Sequence, residues 1–296
     1  MKKITLLLLC TVLFLSITGC KSSGDSTEGK QQEAGSESAR IVSTSAVLCQ
    51  VADRLNLDLV GVPDTDFELP KRYEKATRVG APMTPDLEVL KSLNPTDVLT
   101  PNSLQYDLKP KYDGAGIPST FINLMSLDGF FQEIEMLGDK YDRKKEADTL
   151  VSEYTLFMKE YQEKTEGKEK PKVLILMGLP GSYMIATERS YVGSLVHLAG
   201  GENVFEGEDA FLNVNTEELA LRKPDIILRT SHAMPEIVQE MFEKDFQEND
   251  IWKHFSAVKQ GKVYDLKNEV FGMSANLEYQ QALNTLQELL YGNGEQ

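Results

Sequence analysis

The sequence is poor in cysteine, histidine and tryptophan: its 296 residues hold 3 Cys, 3 His and 1 Trp. Cys10 lies inside the apolar N-terminal run and Cys20 directly follows it. Cys49 is therefore alone in the body of the chain, which excludes an intramolecular disulfide there. It ends the run Ala46-Val47-Leu48-Cys49, where nothing would activate a thiolate, so it is expected as a small core residue. Three scattered histidines, His197, His232 and His254, are a thin supply for a bare transition-metal site. Positive charge is in deficit too. Lys and Arg number 31 against 46 Asp and Glu, for a formal net charge of -15, which argues against a nucleic-acid surface. The motifs G-x-S-x-G, H-E-x-x-H and the P-loop are missing, and Ser182 in Leu179-Pro180-Gly181-Ser182-Tyr183 does not sit on a nucleophile elbow. The expectation is a protein that binds rather than one that catalyses.

What is present fits a globular protein of two lobes: 41% hydrophobic and 26% charged residues over 296 positions can bury a core without staples. The N-terminus is the most readable segment. Lys2 and Lys3 precede an almost wholly apolar stretch from Ile4 to Ile17, the pattern of a secretory signal too short to span a bilayer comfortably. Leu15-Ser16-Ile17-Thr18-Gly19-Cys20 resembles the lipobox of bacterial lipoproteins. That resemblance implies diacylglycerol on the Cys20 thiol and cleavage before it, giving 1–19 as signal peptide. Further acylation, a palmitate-type chain, makes the anchor stable where a single chain would not. Residues 20–39, dominated by Ser, Gly, Glu, Gln and Lys, read as the lipidated cysteine and a flexible tether. An exported, disulfide-free lipoprotein points to the extracellular face of a Gram-positive cell membrane.

From Arg40 onward short apolar strands alternate with helical segments. Strands are expected at Ile41–Ser45, Leu59–Val62, Asp97–Thr100 and Thr120–Ile122, with a helix over Val47–Leu55. A different pattern holds from about Leu127 to Glu166. There is no proline, apolar residues recur at helical spacing from Phe130 to Tyr161, and Ser126 stands ready as a cap. One helix of ~38 residues would be ~57 Å long; without a clean heptad it reads as a strut rather than a coiled coil. Strands return at Val173–Met177, Tyr183–Thr187, Asp225–Leu228 and Lys262–Leu266, with helices at Val192–Leu198 and Glu278–Leu290. The fold class is α/β: two α/β lobes, 40–126 and 168–296, joined by a linking helix over 127–167.

Two segments repeat across the lobes. Pro85-Asp86-Leu87-Glu88-Val89-Leu90 leads into Pro95-Thr96-Asp97-Val98, and Val214-Asn215-Thr216-Glu217-Glu218-Leu219 leads into Pro224-Asp225-Ile226. With Leu198-Ala199-Gly200-Gly201-Glu202-Asn203-Val204-Phe205, they resemble the rigid-helix class of periplasmic-type binding proteins, class III, whose ligands are siderophores, cobalamin or haem. The resemblance covers nearly the whole mature chain. It implies one glutamate per lobe docking on arginines of an ABC permease, here Glu88 and Glu217, with Glu218 as the substitute for Glu217. Rim charges of that kind set register and on-rate while permitting release.

Ligands of open α/β sheets sit beyond the carboxyl ends of strands. Gly80-Ala81-Pro82-Met83-Thr84-Pro85 is expected there in the first lobe and Arg229-Thr230-Ser231-His232-Ala233-Met234-Pro235 in the second. A thioether facing an imidazole is a pair of haem axial ligands. The chain resembles the haem-receptor lipoproteins of the iron-regulated surface determinant system, and that resemblance implies haem iron held by Met83 and His232. His197 and His254 read as structural. Tyr183, Tyr191, Met177 and Met273 are the expected pocket walls, and Thr44 and Ser45 the donors to the propionates. The implied partners are an ABC permease with its ATPase and upstream haem-donor surface proteins; the implied role is delivery of haem for iron acquisition. The alternative cargo is a ferric siderophore or cobalamin, for which Arg229 and Arg189 would supply cationic contacts.

Overall fold

The structure, a computed structural model, describes residues 39–292; Cys20, the signal and most of the tether lie outside them. In chain order the first half contains β1 (Ile41–Ser43), α1 (Ala46–Arg54), β2 (Leu59–Val62), β3 (Thr77–Arg78), β4 (Gly80–Ala81), β5 (Thr84–Pro85), α2 (Leu87–Ser92), β6 (Asp97–Pro101), α3 (Gln105–Ala115) and β7 (Ser119–Ile122). Helices α4 (Leu127–Lys140) and α5 (Lys144–Thr165) follow. The second half contains β8 (Lys172–Leu179), β9 (Ser182–Ala186), α6 (Tyr191–Leu198), β10 (Glu202–Asn203), β11 (Phe211–Asn213), α7 (Thr216–Leu221) and β12 (Ile226–Ser231). It ends with α8 (Pro235–Glu248), α9 (Ser256–Lys259), β13 (Val263–Asp265), α10 (Asn268–Phe271) and α11 (Tyr279–Tyr291).

The first sheet is β3-β2-β1-β6-β7, all parallel. The second is β11-β9-β8-β12-β13, with β9 antiparallel between β8 and β11, and β10 pairing with β8. Strand side chains alternate between two cores, as a period of two requires. Ile41 and Leu99 face one core, Val42 and Val98 another. Val173, Ile175 and Met177 face the first of these again, while Leu174 and Leu176 face a third. Both sheets therefore share one continuous core, lined by α1, α4, α5, α6 and α11, and each has its own second layer: α2 and α3 on the first, α8 and α9 on the second. Cys49 is wholly buried in the shared core, and burial pushes its thiol up to about 11.

The single helix expected over Leu127–Glu166 is two helices. Asp142 adopts φ 55, a left-handed position that aspartate tolerates better than most residues, and the chain reverses there. Phe131 stacks on Tyr154 at 4.1 Å and Tyr154 donates to Asp128 at 2.7 Å, so α4 and α5 lie antiparallel. A Cβ on Gly138 would come within 2.4 Å of the Ala147 Cβ; glycine lets the two backbones meet at the turn. The hairpin is pinned to the amino edge of the first sheet by Asp97, which is buried and accepts from Lys140 at 2.6 Å, from Thr120 at 2.9 Å and from the Tyr141 hydroxyl. Ser126 caps α4 by accepting from Gly129 at 3.2 Å. The strut is α5 alone, 22 residues and so about 33 Å. From the first lobe, where Arg54 pairs with Glu153, it runs into the second, where the Tyr161 hydroxyl donates to Leu283 at 2.6 Å.

Candidate functional site

The carboxyl ends of the two sheets are tied together where Ala275 donates to the Leu124 carbonyl at 2.7 Å. Leu124 lies two residues past β7, and Ala275 follows α10 on the chain leaving β13. The ligand region is therefore bounded by loops leaving strands on both sides.

On the first lobe, Pro82 and Met83 form the two-residue turn of the β4–β5 hairpin. The hairpin is held at its base: Asp64 donates to Gly80 and Asp86 to Val79, at 2.9 and 2.8 Å. Its tip leaves Met83 61% exposed, so the thioether is open to a ligand. On the second lobe, His232 follows β12 directly and its amide donates to Gly178 at 3.0 Å. A Cβ on Gly178 would strike Val238 at 2.2 Å. Only glycine there lets α8 approach β8 closely enough to form this turn. His232 is exposed, yet the surrounding protein desolvates its ring and draws its pKa below the ordinary value of 6.5. A lowered pKa keeps the imidazole neutral, the form that donates a lone pair to a metal. Met83 and His232 share a position, each beyond the carboxyl edge of its own sheet.

The expected wall and donor residues divide. Met273 is half-buried on the loop after α10, next to the end of β12, where Thr230 donates to the Phe271 carbonyl at 2.8 Å. It remains at the ligand edge. Met177 and Tyr191 do not: both are 0% exposed within the shared core. Their strand and helix turn them onto the helical layer, so they pack rather than line a pocket. Tyr183 is on the opposite face, donating to Asp245 at 2.9 Å and packed on Phe242 and Trp252. It holds α8 in place. Thr44 is fully buried and its hydroxyl is engaged with Leu99 at 3.3 Å and Thr100 at 3.1 Å, so it has no proton to spare for a ligand. Ser45 is different. It is the N-cap residue of α1, its side chain makes no capping bond, and it heads a helix whose free amides attract anions.

Sequence reasoning singled out Met83 here but passed over four other residues. Of the seven large apolar side chains left exposed among the described residues, five follow carboxyl strand ends: Phe67 after β2, Met83 after β3, Tyr106 after β6, and Met234 and Ile237 after β12. Tyr106 is 92% exposed. Their signal in the sequence was an apolar residue in a polar loop or first helical turn just past a strand. Arg229, by contrast, makes a bidentate pair with Asp265 and lies over Phe246 at 4.8 Å. Arg189 follows β9, which runs antiparallel to β8 and so ends away from this edge. Among the described residues no group of three His, Cys, Asp or Glu gathers as a metal site.

The two docking candidates occupy matching positions. Asp86 caps α2 by accepting from Glu88 and Val89, and Asn215 caps α7 by accepting from Glu217 and Glu218. Glu88 and Glu217 are thus both the second residue after a cap, and both are exposed. Leu90 and Leu219, two residues later in each helix, are both buried. Glu218 is bound to Arg222 at 2.7 Å, which leaves Glu217 as the open carboxylate.

Comparison with known proteins places this geometry. The periplasmic binding protein family matches residues 41–270. The chain is 41% identical over 292 residues to the "High-affinity heme uptake system protein IsdE" of Staphylococcus aureus (strain Newman), covering 98% of this chain and 97% of that protein. Among solved structures, an ABC transporter substrate-binding protein from Listeria monocytogenes EGD-e superposes with a TM-score of 0.83 and 44% identity, covering 87% of this chain and all of that one (100%). S. aureus IsdE complexed with heme superposes with a TM-score of 0.82 and 42% identity, over 86% of this chain and 99% of that one.

Proposed function

The chain belongs to the periplasmic binding protein family, and from that premise we propose that it captures haem between its lobes and delivers it to an ABC importer. The observation that carries this reading is the set of five exposed apolar side chains, Phe67, Met83, Tyr106, Met234 and Ile237, beyond the carboxyl ends of the strands. A flat apolar macrocycle is the cargo that such an edge suits, and the relatives that share the fold at over 40% identity include a haem-uptake protein solved with haem.

Met83 and His232 are the axial ligands in this reading, one from each lobe. Both donors are neutral and fit ferric or ferrous haem. Met273 and the other four exposed apolar side chains flank the ring, while the Ser45 hydroxyl and the amino end of α1 receive a propionate. Binding is the whole task and no turnover is assigned. Titration of the chain from Lys21 onward with haemin tests it. A saturable Soret change at one haem per chain is expected, altered in both M83A and H232A; no saturable change would reject haem. A ferric siderophore is the weaker reading, because Arg229 already spends its charge on Asp265.

Glu88 and Glu217 face the permease, which works with its ATPase. Haem transfer to the importer in vesicles is expected to slow in E88Q and E217Q but not in E218Q. Equal rates in all three would remove the docking role. Cys20 carries the lipid anchor on the outer face of the membrane; C20A should shed the protein into the medium. Surface proteins upstream are the haem donors in this scheme.

A further inference from the structure

Met234 combines two observations that do not usually meet. Its backbone is left-handed, φ 48 and ψ 58, a conformation that costs a side-chain-bearing residue roughly 1–2 kcal/mol. Its side chain is also 59% exposed, so burial does not offset that cost. Strain of this kind persists where the surroundings enforce it and clusters at functional sites. The enforcement is visible: β12 ends at Ser231, His232 is bonded to Gly178, Pro235 fixes the first helical residue of α8, and Val238 donates to the Met234 carbonyl at 3.1 Å. Met234 is thereby held two residues past His232 on the same turn.

We propose that Met234 is a reserve axial ligand on the second lobe. Two residues of chain span at most about 7 Å, and methionine has three rotatable bonds and a soft sulfur. The thioether therefore reaches the coordination position that His232 occupies, on the face of the ring opposite Met83. When the iron–imidazole bond opens, an iron–thioether bond forms in its place. Each donor supplies one lone pair, no electron is transferred and no proton moves. Haem then passes out of the site through a weaker, two-thioether state rather than in one step. This rests on the haem reading above and adds to it a second ligand from the same loop.

The test uses the full chain in detergent with haemin as the probe, read by absorption, magnetic circular dichroism and affinity. In H232A the bound haem is expected to be six-coordinate and low-spin, with two sulfur ligands. Replacing Met234 in that background, H232A/M234L, is expected to give high-spin haem and a further loss of affinity of about tenfold. H232A/M234G serves as the second variant, since glycine suits the left-handed backbone and removes the thioether without adding strain. An H232A protein whose spectrum and affinity are unmoved by either second substitution overturns the proposal. A wild-type chain with no haemin-dependent spectrum overturns it together with the haem reading, so the two failures are told apart.

Discussion

His232 is placed to give different pH signatures with and without ligand. Desolvation lowers its pKa below 6.5 in the folded protein, while the unfolded chain keeps the ordinary value. Between those two values the unfolded state binds more protons than the folded state, so stability rises with pH through that window. The contribution is therefore lost as pH falls below the ordinary histidine value. Denaturant unfolding of the apo protein between pH 5 and pH 8 is expected to show this slope, and H232A to flatten it. Haem affinity should be level above the ordinary pKa, because the ring is already neutral there. The same scale explains which candidate residues the structure leaves open at the ligand edge and which it does not. Met83 and His232 announce themselves by chemistry in loops next to strands. Met177 and Tyr191 misled because a methionine or tyrosine near a strand end looks the same whether it faces a cleft or the shared core. Only the helical layer over that face decides, and long-range packing sets it. Tyr106, 92% exposed, is the wall that the proposed haem reading takes in place of Met177 and Tyr191: Y106S should weaken haemin binding with stability unchanged. Y191A, which empties a buried site, should cost roughly 3–5 kcal/mol of stability.

At the scale of elements, the long central strands were legible to within about three residues, because their apolar runs are short and their cores alternate, whereas the two- and three-residue strands β3, β4, β5, β10 and β11 were not, being too short to show a period. The linking segment was not. Its hydrophobic period runs unbroken from Phe130 to Tyr161, since α4 and α5 both lay apolar faces on one core. Periodicity reports which face is buried, not whether the chain has reversed. The break depends on Asp142 in left-handed backbone and on the close contact of Gly138 with Ala147. G138V would drive side-chain atoms into Ala147 and is expected to destabilise by about 1–3 kcal/mol. D142G keeps the left-handed turn and is expected to be neutral or slightly stabilising. Chemical denaturation of the two variants checks the pair; equal and small losses would mean that the hairpin is not set by this contact. The paired helices α2 and α7 are the opposite case. Cap, glutamate and buried leucine repeat at the same offsets, so the match between Glu88 and Glu217 was readable from spacing alone. The exclusion of Glu218 needed the Arg222 contact.

The whole molecule has one core running under both lobes. Leu48 and Tyr154 from the first side and Leu195 and Leu283 from the second belong to the same buried cluster. Two bonds cross the junction in different places: Ala275 to Leu124 near the cleft and Tyr161 to Leu283 along the strut. A hinge motion of the kind seen in flexible two-domain proteins would have to open that core, exposing apolar area at about 25 cal/mol per Å². Opening even a few side chains costs several kcal/mol. Domain closure is accordingly expected to be small. Small-angle scattering of the apo protein and of the haem-loaded protein is expected to give superimposable profiles. A clear contraction on loading would show that α5 bends and that the shared core yields. It would also move the specificity of docking from the fixed spacing of Glu88 and Glu217 to a spacing that only the loaded state attains. A constant profile instead leaves the importer to sense cargo through the loops around Met83 and His232, since the distance between the two glutamates would be the same with and without haem.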